Sequence, residues 1–421
     1  MFLLSVVAVV LAAAPAPAPA LVPERLTLEE AVRRAIARNP TALIAEQEIR
    51  RAEGILKEAA APSLPILTGN GTATRLDSSR RLSGNSLITP INSRNANVTL
   101  SVPLFAPQRW LQWARAGEQV DIARLSADDA RRFVGVATAR AYISVMTQHR
   151  LVQVSVQARD NARAHFDDAH ARLEVGSGNR LDEVRAAQEV STDESQLAQA
   201  QANLTRAREA LGVLVGADGP IEVEEQLVLP APPGPEEALR DVEDVRPDVA
   251  ASRQRAESDR RTLRDSWSDY MPLLSAVVQP FYNAPATSTL PETGWQAQLV
   301  LTIPLFDGGF RYGARRLRSA QYEESKAQLD GLLRQARSDV RAAFEAVQKA
   351  DESFRAARQA SKLAREALDM TMLAYREGAT NDLEVVDAER RSRDADVAAL
   401  QAEDTARQAR IDLLAASGRL P

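Results

Sequence analysis

The residues able to do chemistry are few in kind. The chain of 421 residues has no Cys and three His, His149, His165 and His170. Without Cys there are no disulfides, thiolate metal sites or Cys nucleophiles, and no Cys to carry a lipid anchor. The closest His pair is five residues apart, which splays two ligands on a helix, so no metal site is expected. No nucleophile, base and oxyanion set stands together, so neither an enzyme nor a bound cofactor is expected. "FDGGFRYG" carries Gly308, Gly309 and Gly313, but no Lys-Ser/Thr follows, which reads as a tight turn and not a phosphate loop. What remains is carboxylates. Glu384 and Asp387 share one helix face at i,i+3, and alone they read as a solvated face.

Those two acids follow one of two matching turns. "VGSGNRLDEV" begins at Val175 and "EGATNDLEVV" at Glu377, and their glycines, Gly176 and Gly378, lie 202 residues apart. Gly suits the left-handed residue that ends a helix, and the following Asn suits the N-cap of the next.

The elements around the turns are long. From Gln108 to Val175 and from Tyr312 to Glu377 there is no Pro and little Gly; as helices, nearly 70 residues span about 100 Å. In the second stretch Leu333, Val340, Val347 and Phe354 repeat every seven, with Ala336, Ala343, Ala350 and Ala357 in the other seam position, a coiled-coil pattern with close approach. After each turn comes a helix about half as long, the first with Val190, Leu197, Leu204 and Leu211 on its seam. Further helical stretches, Leu26 to Ala61 and Glu236 to Tyr270, are broken at Pro40 and Pro247; stacked end to end on the short helices they would match the long ones.

At the far ends the period changes to two. In "NVTLSVPLF" (Asn97–Phe105) Val98, Leu100, Val102 and Leu104 alternate with Asn97, Thr99 and Ser101. "WQAQLVLTIPLF" (Trp295–Phe306) behaves likewise, and weaker partners lie in "ILTGNGTATRL" and "LLSAVVQPFY". Polar loops at about 77–94 and 285–292 close the two hairpins. Strands of about ten residues with one apolar and one polar face suit a membrane β-barrel; a small soluble sheet is the bland alternative. Four strands in lipid would leave unpaired edges, so closure needs several chains.

"MFLLSVVAVVLAAAPAPAPA" has an apolar run ending in small residues, with Ala18-Pro19-Ala20 in the form of a cleavage site, so residues 1–20 read as a signal peptide, though no Lys or Arg precedes the run. Charged residues are 26% of the chain and net charge is −5, which gives no sign of a nucleic-acid partner. The expected map is a first repeat over 21–215 (hairpin about 66–105, long helix about 108–175, short helix about 179–215), a Pro-rich linker over 216–236, and a second repeat over 237–421 (hairpin about 273–306, long helix about 312–377, short helix about 381–416).

With "LTLEEAVRRAIARNP", "SVPLFAP", "TIPLFDGG", "RPDVAASRQRAES" and the two Gly turns in this order, the chain resembles the TolC family of outer-membrane efflux and secretion proteins over nearly all of its mature length. The resemblance implies a mainly α fold with membrane β: a homotrimer whose four strands per chain close one outer-membrane barrel, continued by a hollow helical tunnel across the periplasm. It also implies short elements belting the tunnel at mid-height, a periplasmic adaptor protein and an inner-membrane pump of RND or ABC type as partners, and outer-membrane lipid around the barrel. The Gly turns become the periplasmic tips. By position, Glu384 and Asp387 take the place of the family's acidic pore rings, and Asp182, Tyr375 and Thr380 that of its gate contacts, with a Tyr375–Asp182 hydrogen bond as the latch; some members carry Arg where Thr380 stands. Gly176, Ser177, Gly178 and Asn179, with Gly378, Ala379, Thr380 and Asn381, become the adaptor-docking tips. Two other readings stay open. A periplasmic adaptor would show one hairpin flanked by compact β domains; a soluble coiled-coil protein of the envelope would lack the amphipathic strands.

Overall fold

The computed structural model describes residues 24–81, 87–225, 234–287 and 289–419. The expected signal peptide, 1–20, lies outside these residues, as does 226–233 of the expected linker. The chain is mostly helical with one four-stranded sheet at one end.

The first half opens with strand β1 (Glu24–Leu26) and helices α1 (Leu28–Arg38) and α2 (Pro40–Ala60). Thr27 caps α1, its Oγ1 accepting from Glu30 N at 3.2 Å. Pro40 is the first residue of α2, where a missing N–H costs nothing. The break expected at Pro40 is a joint at Asn39 between two helices. Strands β2 (Ile66–Arg75), β3 (Arg80–Arg81), β4 (Leu87–Thr89) and β5 (Asn92–Phe105) follow. The loop expected over 77–94 thus holds a short ribbon, and β5 begins five residues earlier than expected. Then come α3 (Pro107–Glu174), α4 (Arg180–Val215) and β6 (Ile221–Val223).

The second half has α5 (Pro235–Val245) and α6 (Pro247–Arg264), jointed at Arg246, then β7 (Leu273–Ala284), β8 (Thr293–Thr302), α7 (Phe310–Arg376) and α8 (Asp382–Ala416). Here β8 stops short of the expected Phe306. Pro304 has no N–H for a ladder, and the chain instead turns through Gly308 and Gly309, both at positive φ. Asp307 accepts from Gly309 N and Arg311 N, both at 3.1 Å, and starts α7.

The short helices end where the jointed ones begin their second member. Gly216 (φ 68°) caps α4 against Arg38, and Asn39 Nδ2 donates to Leu214 O at 3.1 Å. Gly418 (φ 73°) follows α8 and lies against Val245 and Arg246. These two glycines, like those of the tips, stand 202 residues apart. Midway along α3, Tyr142 is fully buried, and its hydroxyl donates to Leu26 O at 3.2 Å and Glu224 O at 2.9 Å. It ties the parallel pair β1–β6 to the longest helix, over a core of Val145, Met146, Leu211 and Val215.

The main sheet runs β2-β5-β7-β8, all antiparallel. Opposed pairs Leu100↔Val278, Val278↔Ala297 and Ala276↔Leu299 give one apolar face, left open to the outside: Trp295 is 74% and Leu299 72% exposed. The other face carries a polar row through all four strands. Asn70 Nδ2 donates to Asn97 Oδ1 at 3.2 Å, Thr99 Oγ1 donates to the same Asn97 oxygen at 3.4 Å, Gln279 Nε2 donates to Thr99 Oγ1 at 3.1 Å, and Gln296 donates to Gln279. Among the described residues no helix is long and apolar enough to cross a membrane.

Candidate functional site at the helix tips

Both tips are built alike from the backbone upward. At the end of α3, Gly176 (φ 78°) donates to Leu173 O at 3.0 Å and Ser177 N to Arg172 O at 3.0 Å. At the end of α7, Gly378 (φ 76°) donates to Tyr375 O at 3.1 Å and Ala379 N to Ala374 O at 2.8 Å. Each is a Schellman cap, which turns the chain while satisfying the last carbonyls of the helix. The next helix starts four residues after each of these glycines, at Arg180 and at Asp382. Asn179 Oδ1 accepts from Leu181 N at 3.1 Å, and Asn381 Oδ1 from Glu384 N at 3.1 Å. Gly178 meets the other requirement for glycine, since a Cβ there would sit 2.8 Å from Leu173 N.

Of the eight tip residues, Gly176, Ser177, Asn179, Gly378, Ala379 and Asn381 are exposed, and Gly178 and Thr380 half-buried. Glu384 and Asp387 are both exposed on α8. Thr380 Oγ1 donates to Glu384 Oε2 at 2.6 Å, so one expected gate residue and one expected ring residue meet. Asp387 pairs with Arg391 at 2.7 Å, one turn along.

Tyr375 and Asp182 are not joined by a hydrogen bond within the chain. The Tyr375 ring lies under the Arg172 guanidinium, 4.5 Å from its centroid, and edge-on to His165 at 5.6 Å. Asp182 is occupied by Arg185 at 3.7 Å. Burial pushes the Tyr375 hydroxyl's pKa up, against the opposite pull of Arg172. The pair of side chains that does bridge the two hairpins next to Tyr375 is His165 and Asp382: His165 Nε2 donates to Asp382 Oδ1 at 2.7 Å, both buried. His170 and Glu183 make a second contact, at 2.7 Å, within the first hairpin.

Sequence reasoning passed over His165 and Asp382. A signal for Asp382 exists: it starts the stripe Asp382, Val385, Glu389, Ser392, spaced three, four, three, all four of which are buried. Among the described residues no group of His, Asp or Glu is placed to hold a metal ion.

The geometry of sheet, helices and tips is matched by known proteins. The model of the outer membrane efflux protein family matches residues 31–217 and 238–419. Over 275 residues the chain is 26% identical to the fusaric acid resistance protein FusA of Burkholderia cepacia, covering 62% of this chain and 52% of that one. Over 240 residues it is 28% identical to the cobalt-zinc-cadmium resistance protein CzcC of Cupriavidus metallidurans, covering 56% and 53%. The matches thus span about half the length of each of these relatives. The crystal structure of the outer membrane protein VceC of Vibrio cholerae superposes with a TM-score of 0.81 at 20% identity, over 93% of this chain and 96% of that one, which is a likeness of fold. With most of its length covered by that family's model, the chain belongs to the outer membrane efflux protein family.

Proposed function

We propose that this chain is the outer-membrane exit duct of a tripartite efflux or type I secretion system, assembled as a homotrimer. The observation that carries the reading is the sheet. Its apolar face is open, its other face bears a continuous polar row, and among the described residues its edge strands β2 and β8 each lack a neighbour on one side. Unpaired edges are not tolerated in lipid, and a closed ring of copies removes them. Helices α3 and α7, each about 100 Å long, would carry the tunnel across the periplasm to the tips. There a periplasmic adaptor would dock and an inner-membrane pump of RND or ABC type deliver cargo. The relatives' names speak of fusaric acid in one case and of cobalt, zinc and cadmium in the other, and we assign cargo choice to the pump. The test is native mass spectrometry in mild detergent together with membrane fractionation. A trimer from the outer-membrane fraction is expected; a monomer from the soluble periplasm would favour an envelope coiled-coil protein.

Within this reading, Glu384 and Asp387 form acidic rings at the mouth, six carboxylates in a trimer, and Asp182, Tyr375 and Thr380 belong to the gate. Such rings attract cations and repel anions. In planar bilayers, Glu384→Ala with Asp387→Ala is expected to lower cation selectivity and weaken block by multivalent cations. Unchanged selectivity would remove these residues from the constriction.

A further inference from the structure

Above the tips, the two hairpins of one chain are joined by charged groups whose carboxylates are buried, while Arg390 reaches in from a partly exposed position. Glu189 on α4 is 2% exposed. Arg390 on α8 donates to its Oε2 through Nε at 2.8 Å and Nη2 at 2.5 Å, and Arg393 Nη1 donates to its Oε1 at 3.1 Å. Arg393 also donates to Asp193 at 2.5 Å. One turn and more toward the tip, His165 on α3 holds Asp382.

Glu389 lies among these groups. It is 9% exposed, and neither carboxyl oxygen reaches solvent or finds a hydrogen-bond partner. It feels His165 from α3, Glu189 and Asp193 from α4, and Asp382 on its own helix. From α7, the charged groups lining the adjoining cleft are Arg358, Arg365 and Asp369, and Arg365 is itself bound to Asp396 at 3.0 Å. The charges decide what Glu389 can be. With His165 protonated, the cations His165, Arg390 and Arg393 balance the anions Asp382, Glu189 and Asp193. An ionised Glu389 adds one uncompensated negative charge where water does not reach, and an unpaired buried charge is strongly unfavourable.

We propose that this cluster is the clasp between the first and second hairpins of each chain, and that Glu389 is its release: neutral, it lets the hairpins stay joined; ionised, it parts them. The proposal rests on the duct reading only in giving the parting a purpose, namely widening of the tips.

The sign of the pH dependence follows. Burial is the main cause that lifts the Glu389 carboxyl from its ordinary 4.5 to about 7, with Glu189, Asp193 and Asp382 adding to it against His165. When the hairpins part and water enters, the carboxyl returns toward 4.5. The clasped form therefore holds a proton that the parted form releases. The clasp is strongest below 4.5 and weakens as pH rises through about 7. Burial lowers the His165 pKa, but the hydrogen bond to Asp382 and the surrounding carboxylates outweigh it and the net shift is upward, so its sign is the same.

The chain has no Cys, so two introduced ones can be labelled cleanly. Spin labels on Gln188→Cys in α4 and Ala398→Cys in α8 of the full-length chain in lipid nanodiscs report the hairpin separation at pH 5 and pH 8. Planar-bilayer conductance of the unlabelled chain is read in parallel. The expected result is a longer distance at pH 8 and a closed-to-open ratio that falls as pH rises, by at most about tenfold per unit for each proton released. Glu389→Gln and Glu389→Leu are each expected to hold the short distance at both pH values. Unchanged wild-type distances, or a Glu389→Gln chain with the wild-type pH response, overturn the clasp. Distances that shift without any current uphold it and sink the duct reading; currents with fixed distances do the reverse.

Discussion

A Gly378→Val chain is expected to insert and assemble normally and to fail in export. Gly378 sits at φ 76°, with open space where a Cβ would go, so the penalty is one of backbone conformation and not of collision. A left-handed residue with a Cβ costs about 1–2 kcal/mol, and the β-branched Val is worse placed than most. The chain escapes by breaking the cap. That removes the bonds from Gly378 N to Tyr375 O and from Ala379 N to Ala374 O, and it redirects Thr380 and Asn381. A loss of this size leaves the sheet and the β1–β6 pair untouched. Gly378→Asn should be far milder, because Asn visits the left-handed region more readily. Gly331→Ala is the control: it lies inside α7 with nothing within 4 Å of a Cβ, and is expected to gain about 0.5–1 kcal/mol of stability. The readouts are cargo export by cells carrying each variant and oligomer state in detergent. Full export by Gly378→Val would take the second tip out of the docking surface.

The second large effect is expected on the sheet. Leu299 and Gln298 are neighbours near the middle of β8 and point to opposite faces. If the apolar face meets lipid, Leu299→Arg places a charge near the bilayer midplane at about 2–4 kcal/mol per chain, repeated in every copy around the barrel. Gln298→Arg puts the same charge on the polar face beside the row of Gln279 and Gln296, where water can solvate it. Outer-membrane yield and resistance of the oligomer to heat in detergent should fall sharply for the first and little for the second. Equal damage would mean that the two faces have been assigned the wrong way round.

The same alternation is why the sheet was legible in the sequence. Period two over "NVTLSV" and "WQAQLVLT" names strand and face together, and the glycines of the tips name the turns. Reading stopped being reliable where a local pattern outlasts its hydrogen bonds. "IPLF" after Thr302 keeps the look of a strand, but Pro304 cannot join a ladder and the segment leaves the sheet. "VPLF" in the first half does stay in β5, because Pro103 pairs opposite Ser275 and a register shift follows it. The paired strands β1 and β6, three residues each, are too short to carry any period. The charged clasp was invisible for another reason. Asp193, Asp382 and Glu389 occupy core positions, and a pattern search over apolar side chains counts them as solvent-facing. Asp193 and Asp382 find their partners on helices about 200 residues away, a pairing that no local spacing records.

The buried Tyr142 gives the molecule a fulcrum. Leu26, Glu224 and α3 are pinned together at that one hydroxyl, within a cluster of buried apolar side chains. From Tyr142 to Gly176 the helix is an arm of about 50 Å. A tilt of about 5° about the pin then carries the tip sideways by roughly 4 Å while leaving the β1–β6 pair in place. The arm on the other side, toward the sheet, is of similar reach, and any rotation there would have to be absorbed before it strained the β-ladder. Small rearrangements near Tyr142 are thus geared up at the tip, and the stiffness of its two hydrogen bonds sets the throw.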